Sequence, residues 1–427
     1  MITMREALYA RIADRVDDLI ELTQALIRIP TVTPPGDAYR ACAELIGERL
    51  ARRGFTVQYL RAEGAVGDSE RYPRVNVVAR HDSGRPGPCV HINGHIDVVT
   101  PGAGWSVDPF GGEVRDGRIY GRGSCDMKGG LAAGIVALET LLDAVPALPG
   151  SVEVSGTVDE ESGGYGGVAF LARAGYFSRP RVDHVIIPEP LDVDRVCLGH
   201  RGVWWAEVET LGRIAHGSMP FLGESAIRHM GAFMAALEDE LYPRLASRST
   251  CMPVVPEGAR QSTLNLNSIH GGLGEDYDGL PSPLVADSCR LVLDRRFLIE
   301  EDLTAVQAEV RDILEALARE RPGFRYRLRE IMAVQPTMTE PDAPVVRAVD
   351  AEIRTVLGRE SRHVVSPGTY DQKHIARLGH LHDCIAYGPG ILDLAHQPDE
   401  YVLIEDLQHA AQVMAGASLR LLTGDLG

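Results

Sequence analysis

Histidines and carboxylates recur in this 427-residue chain where apolar runs come to an end. The densest case is Gly94-His95-Ile96-Asp97-Val98-Val99, which follows the run Cys89-Val90-His91-Ile92-Asn93. Such a run reads as a buried strand, and the period-2 pleat sends His95 and Asp97 to one face. A histidine with an acid beside it is a common arrangement for a metal ligand held through its second ring nitrogen. Asp126 sits in the glycine-laced turn 121–130, where glycine lets an acid come close to a ligand or ion. Asp159, Glu160 and Glu161 follow a strand predicted over 151–158. Three adjacent carboxylates repel one another, so a positive partner nearby would help to hold them. Glu189 closes Val185-Ile186-Ile187-Pro188, and His396 lies in Ala395-His396-Gln397-Pro398-Asp399-Glu400. Ligand sites in open α/β sheets lie at the carboxyl ends of strands.

Together His95, Asp97, Asp126, Glu160, Glu161, Glu189 and His396 offer nitrogen and oxygen donors suited to zinc, manganese or cobalt. One carboxylate shared between two ions would give each ion a histidine, the shared acid and one further acid. Two-metal sites with ions about 3.5–4 Å apart clamp and activate a hydrolytic water.

The elements that must position these residues follow from periodicity. Helices are predicted over 5–29, 38–53 and 131–142, and strands over 55–60 and 75–80. The pattern then changes to a strand over 203–211, a helix over 224–241, strands over 262–270 and 288–297, and a helix over 301–320. A last strand alternates Phe324, Tyr326 and Leu328 with Arg325, Arg327 and Arg329. This β-α-β-β-α-β order is the split βαβ of a ferredoxin-like sandwich. It reads as a second domain, 200–330, inserted into an α/β domain formed by 1–199 and 331–427. That domain resumes with a helix over 341–357, a short strand over 384–387 and a closing helix over 404–422. Trp204 and Trp205 are expected in the core of the inserted sheet.

Composition sets the outer bounds. With 44% hydrophobic and 24% charged residues the chain is an ordinary globular one, long enough for two or more domains. A net charge of -17 with no basic block argues against nucleic acid and anionic membranes as partners. Seven scattered cysteines with no C-x-x-C pair favour a reducing compartment, hence a cytoplasmic location. Residues 1–30 carry charge throughout, and no run approaches the roughly 20 apolar residues of a membrane span.

Six motifs resemble one known family: GHIDVV at 94–99, GRGSCDMKGG at 121–130, TVDEESGG at 157–164, IIPEP at 186–190, GRIAHGSMP at 212–220 and AHQPDEYV at 395–402. The chain is similar to the zinc aminoacylase and carboxypeptidase superfamily that includes acetylornithine deacetylase and succinyl-diaminopimelate desuccinylase. The resemblance implies a mixed sheet flanked by helices, zinc-exopeptidase-like, with the inserted ferredoxin-like domain acting as lid and dimer contact. It implies two zinc ions, with cobalt or manganese as substitutes. His95, Asp126 and Glu189 would hold one ion and Asp126, Glu161 and His396 the other. Asp97 would orient His95, and a non-proline cis bond would follow Asp126. Glu160 would be the general base that moves a proton from water to the leaving amine. His216 would cross a homodimer interface to stabilise the developing oxyanion. Arg296, with Arg295 one position away, would grip a substrate carboxylate, and Gly388 and Gly390 would let the backbone approach the substrate.

The implied activity is deacylation of an N-acyl amino acid or a related small N-acyl amine. A glutamate at 189 is typical of the family's deacylases, whereas aspartate there is typical of its peptidases. The alternatives are a metallo-dipeptidase or carboxypeptidase, an N-formyl aminomethyl-pyrimidine deformylase, and a metal-binding homologue without catalysis. The chain departs from the family before Cys289, where Pro283-Leu284-Val285-Ala286-Asp287 replaces the usual asparagine-containing segment and an extended loop, 274–283, precedes it.

Overall fold

Residues 4–272 and 283–426 are described by a computed structural model of the chain. They divide into one unit made of Met1–Gly199, Met338–Val364 and Tyr370–Gly427, and another made of His200–Thr337 and Val365–Thr369. The first unit starts with α1 (Met4–Ala13), α2 (Val16–Ile27), α3 (Tyr39–Ala51), β1 (Thr56–Arg61), β2 (Val75–Asp82) and β3 (Cys89–His95). It continues with β4 (Glu113–Arg115), β5 (Arg118–Tyr120), α4 (Lys128–Ala144), β6 (Ser151–Thr157), α5 (Val168–Arg173), β7 (His184–Ile187) and β8 (Arg195–His200).

The second unit runs through β9 (Gly202–Leu211), α6 (Ala226–Ala236), α7 (Tyr242–Ala246), β10 (Thr263–Gly271), β11 (Ser288–Phe297), α8 (Leu303–Glu320) and β12 (Arg325–Val334). The chain then closes with β13 (Thr337–Met338), α9 (Pro344–Leu357), β14 (Arg362–Ser366), α10 (Gln372–Leu378), β15 (Cys384–Ala386), β16 (Tyr401–Leu403) and α11 (Ile404–Thr423).

The main sheet has the order β1-β2-β6-β3-β7-β15-β8-β13, with β14 paired to β8. It is mixed: β3 runs parallel to both β6 and β7, β15 runs parallel to β7, and β2 runs antiparallel to β6. Every residue of β3 is buried, as a near-continuous apolar run demands of a strand with parallel neighbours on both sides. Helix α4 packs on β3 and on α11 and is buried from Lys128 to Leu141. A helix buried along nearly its whole length belongs in such a sandwiched layer. The mixed sheet flanked by helices is the architecture expected from the motifs.

Local differences from the periodicity have physical reasons. The single helix predicted over 5–29 is two helices. At the break, Arg15 reaches Asp18 and Glu139, each at 2.5 Å, and Thr140 at 2.8 Å, tying the junction to α4. Helix α4 starts earlier than its apolar spacing indicates because Lys128 is buried. Its Nζ donates to Leu26 O at 2.9 Å and Ile29 O at 2.8 Å, carbonyls at the end of α2.

In the second unit the antiparallel sheet order is β10-β11-β9-β12, the arrangement of a ferredoxin-like sandwich. Its core joins Trp204, Phe233, Leu291, Phe297 and Val310, while Trp205 is only half-buried. The helix predicted over 224–241 leaves α6 through a π-helical turn, Leu237–Leu241, before α7. Pro243, which has no N–H to give the ladder, follows that wider turn. Apart from Pro283, the extended loop 274–283 lies outside the described residues. Among the described residues no helix is long and apolar enough to cross a membrane.

Candidate metal centre

The acids and histidines singled out in the sequence converge in the first unit. Strand β3 ends at His95, and the turn after β5 brings Asp126 to it, with His95 Nε2 and Asp126 Oδ1 3.1 Å apart. The other Asp126 oxygen, Oδ2, is 3.4 Å from His396 Nε2. His396 Nε2 in turn lies 3.0 Å from Glu161 Oε2. Two three-residue groups therefore meet at Asp126, each with donor atoms close enough for one ion: His95, Asp126 and Glu189, and Asp126, Glu161 and His396. Glu189 Oε1 is buried without a hydrogen-bond partner. An orphaned buried carboxylate oxygen facing a histidine and an aspartate calls for a cation, so the residues present fit a divalent pair. The peptide bond between Asp126 and Met127 is cis, as the resemblance implies.

Electrostatics follow from this crowding. Hydrogen bonds to Asp126 and Glu161 raise His396 to about 10. Burial pushes His95 down, but the Asp126 hydrogen bond and the charges of Asp97 and Glu189 lift it well above its ordinary value. Burial raises the carboxyls of Glu189 and Glu161, and the charge of Asp126 adds to it. Asp126 is held low against its own burial by the two histidines.

Asp97 differs in detail from expectation. The strand stops at His95, so the pleat does not continue to Asp97. His95 Nδ1 is 3.0 Å from the main-chain carbonyl of Asp97 and 3.7 Å from its carboxylate. That carboxylate instead accepts from the backbone N–H groups of Glu160, at 3.2 Å, and Glu161, at 3.1 Å. It thus fixes the 3-10 turn Glu160–Ser162 that presents the acidic pair.

Each of the three adjacent carboxylates has its own positive partner. Arg74 Nε donates to Asp159 Oδ2 at 3.2 Å, Lys373 Nζ donates to Glu160 Oε1 at 2.8 Å, and Glu161 faces His396. The need for a cation was readable from the acidic run, but neither Arg74 nor Lys373 lies in a motif. Glu400 was quoted only as part of the AHQPDEYV run. Its Oε1 accepts from the N–H groups of Gly123 at 3.0 Å, Cys125 at 2.9 Å and Asp126 at 3.1 Å, and its Oε2 pairs with buried Arg122. It is the clamp of the Asp126 turn.

Gly388 and Gly390 lie where the chain is closely packed. A Cβ on Gly388 would strike the carbonyl of Pro188, beside Glu189, and one on Gly390 would sit 2.6 Å from Cys125 Sγ.

The second unit carries the remaining residues. His216 is exposed, and its Nδ1 accepts from the Ser218 N–H at 3.1 Å. Arg296 forms a two-bond pair with Asp294, at 2.7 and 3.0 Å. Arg295 is fully buried against Glu301 and Glu309. Arg201, missed in the sequence, is buried and donates to the carbonyls of Ala259, Gln261 and Pro367. Burial and then the charge of Arg296 push it down to about 10.

The profile of Peptidase family M20/M25/M40 matches residues 91–420. The chain belongs to this family. Succinyl-diaminopimelate desuccinylase of Xanthomonas campestris pv. campestris (strain 8004) is 31% identical over 397 residues, 92% of this chain and 95% of that protein. The enzyme of the same name from Methylococcus capsulatus is 30% identical over 403 residues, 92% of this chain and 96% of its own. Among solved structures, human carnosine dipeptidase 1 superposes with a TM-score of 0.78 at 19% identity, covering 99% of each chain. The M20 family metallo-carboxypeptidase Sso-CP2 of Sulfolobus solfataricus gives 0.76 at 19% identity, covering 95% of this chain and 99% of its own. The motif resemblance and these likenesses agree. This M20 protein is a metal-dependent amidohydrolase or peptidase.

Proposed function

We propose that this M20 enzyme is a two-zinc amidohydrolase that removes a small acyl group from the nitrogen of an amino acid or related amine. The observation that carries the reading is Asp126, whose two oxygens are divided between His95 and His396 with a further acid beside each. His95, Asp126 and Glu189 would hold one ion, and Asp126, Glu161 and His396 the other. When bound, a divalent pair draws charge from the amide carbonyl and lowers the proton affinity of the attacking water.

The chain's own residues supply the rest. Glu160 is next in sequence to Glu161 and belongs to neither ligand group. It takes the proton from the water and delivers it to the leaving nitrogen, so that the amide C–N bond breaks into a carboxylate and an amine. The main-chain amides held by Asp97 and Glu400 fix where Glu160 and Asp126 stand. His216, brought by a second copy of the chain, donates to the oxyanion as it forms, which makes the inserted unit a lid and dimer contact.

Arg201 feels the charge of Arg296 in that unit, and Arg296 is itself paired with Asp294. Among the described residues Arg201 donates to carbonyl oxygens and to no carboxylate, and such a guanidinium suits an anionic substrate group. The curated relatives are named for removing a succinyl group, and a succinyl amide ends in such a carboxylate. Seven scattered cysteines with no C-x-x-C pair fit a cytoplasmic enzyme.

Metal counting with a panel of N-acetyl and N-succinyl amino acids set against dipeptides tests the reading. Two ions per chain and at least tenfold higher kcat/KM on N-acyl amino acids are expected. Preference for dipeptides would make it a metallo-dipeptidase, and two ions with no turnover of any amide would make it a non-catalytic homologue. Glu160→Ala should lower kcat by roughly 10²–10⁴-fold with both ions kept.

A further inference from the structure

We infer that Lys373 is the positioning residue of the general base, holding one oxygen of Glu160 so that the other meets the water. The inference rests on the reading of Glu160 as that base. Lys373 lies in the first turn of α10, and its Nζ is 2.8 Å from Glu160 Oε1. Both side chains are largely enclosed, 3% and 12% exposed. This is the one hydrogen bond of the Glu160 side chain among the described residues. Without it the carboxylate, carried on a single 3-10 turn, would rotate about three side-chain torsions. With it Oε1 is occupied, and Oε2 is left to take a proton.

The platform under Lys373 is hydrogen-bonded to the strands that carry the site. Asp371, one residue before α10, accepts from Asn93 Nδ2 at 3.1 Å and Thr157 Oγ1 at 3.4 Å, side chains of β3 and β6. Gln372 donates to Leu198 O at 3.1 Å, Thr339 Oγ1 at 3.0 Å and Cys384 O at 2.8 Å. The lysine is thus set by the ends of the same two strands that present His95 and the Glu160 turn. A buried ion pair is costly to assemble and is weak evidence for added stability, whereas proton transfer depends steeply on placement: an error near 1 Å costs on the order of 100-fold.

Lys373→Met, Lys373→Arg and Glu160→Ala, each loaded with metal, separate the outcomes. Lys373→Met should lower kcat by roughly 10–100-fold with KM and ions per chain unchanged, and Lys373→Arg should restore most of the loss. Lys373→Leu, which also lacks a donor, replaces the methionine variant if that chain does not fold, with the same split expected. A raised KM at normal kcat would mean that Lys373 binds substrate, and lost ions at normal kcat per loaded enzyme would mean that it only offsets charge; either overturns the inference. Full kcat in Lys373→Met while Glu160→Ala is inactive overturns Lys373 and leaves the base in place. Near-normal Glu160→Ala overturns the base reading itself.

Discussion

His95 and His396 play matching parts around Asp126 but live in different surroundings. His95 is buried, whereas His396 is half-exposed and holds a left-handed backbone, with φ 64, a conformation that costs a non-glycine residue about 1 kcal/mol or more. A ligand reached by water exchanges more readily, so the ion between Glu161 and His396 should leave first. His396→Ala should carry one ion per chain after dialysis in place of two, with affinity for the second ion down by more than about 100-fold. Two ions retained by that variant would remove His396 from the ligand set. At this scale much of the site was readable, because His95, Asp126, Glu161, Glu189 and His396 each close an apolar run or sit in a motif. Lys373 was not, since it meets Glu160 across 213 residues from a short helix without a motif. Glu400 was visible as a letter in a motif, but its role is to receive three backbone N–H groups, which no side-chain pattern announces.

Elements with one buried face were legible, and those defined by pairing alone were not. Strand β14 escaped notice because Arg362 and His363 lead into only two apolar residues, and α10 because its buried residues include Gln372, Lys373 and His374. Strand β14 is tied to α9 by His363, whose Nε2 lies 2.9 Å from Asp350 Oδ2. That hydrogen bond raises the His363 pKa above its ordinary value, and the Asp350 charge adds to it against burial. A histidine whose pKa is higher folded than unfolded binds its proton more tightly in the native state. Its contribution is complete below the unfolded value of about 6.5 and fades as pH rises through the folded value. His363→Gln should therefore cost about 0.5–1 kcal/mol at pH 5.5 and less at pH 9, read as the gap in denaturant midpoint between variant and parent. A gap independent of pH would show that the ring contributes packing alone.

At the scale of the whole molecule, the two units differ in what holds them together. The second has an apolar core between one sheet and its helices, and its order of strands and helices was legible because alternating and helical periods succeed one another cleanly. The first encloses Asp97, Asp126, Glu161, Glu189, Asp371 and Glu400 around its sheet ends. Such a concentration of acids opposes folding unless cations offset it. Ions that bind the native state alone stabilise it by RT ln(1 + [L]/Kd), about 2.7 kcal/mol per site at a hundredfold excess over Kd. Two candidate ligand groups in the first unit, and none among the described residues of the second, imply an unequal response to chelation. In scanning calorimetry, removing metal should lower the Tm of the larger transition by roughly 5–10 °C. The transition of the inserted unit, which carries its own core, should stay within about 2 °C. Equal movement of both would mean that the units unfold as one cooperative block, and movement of neither would mean that the acids of the first unit hold no ion that matters to its fold.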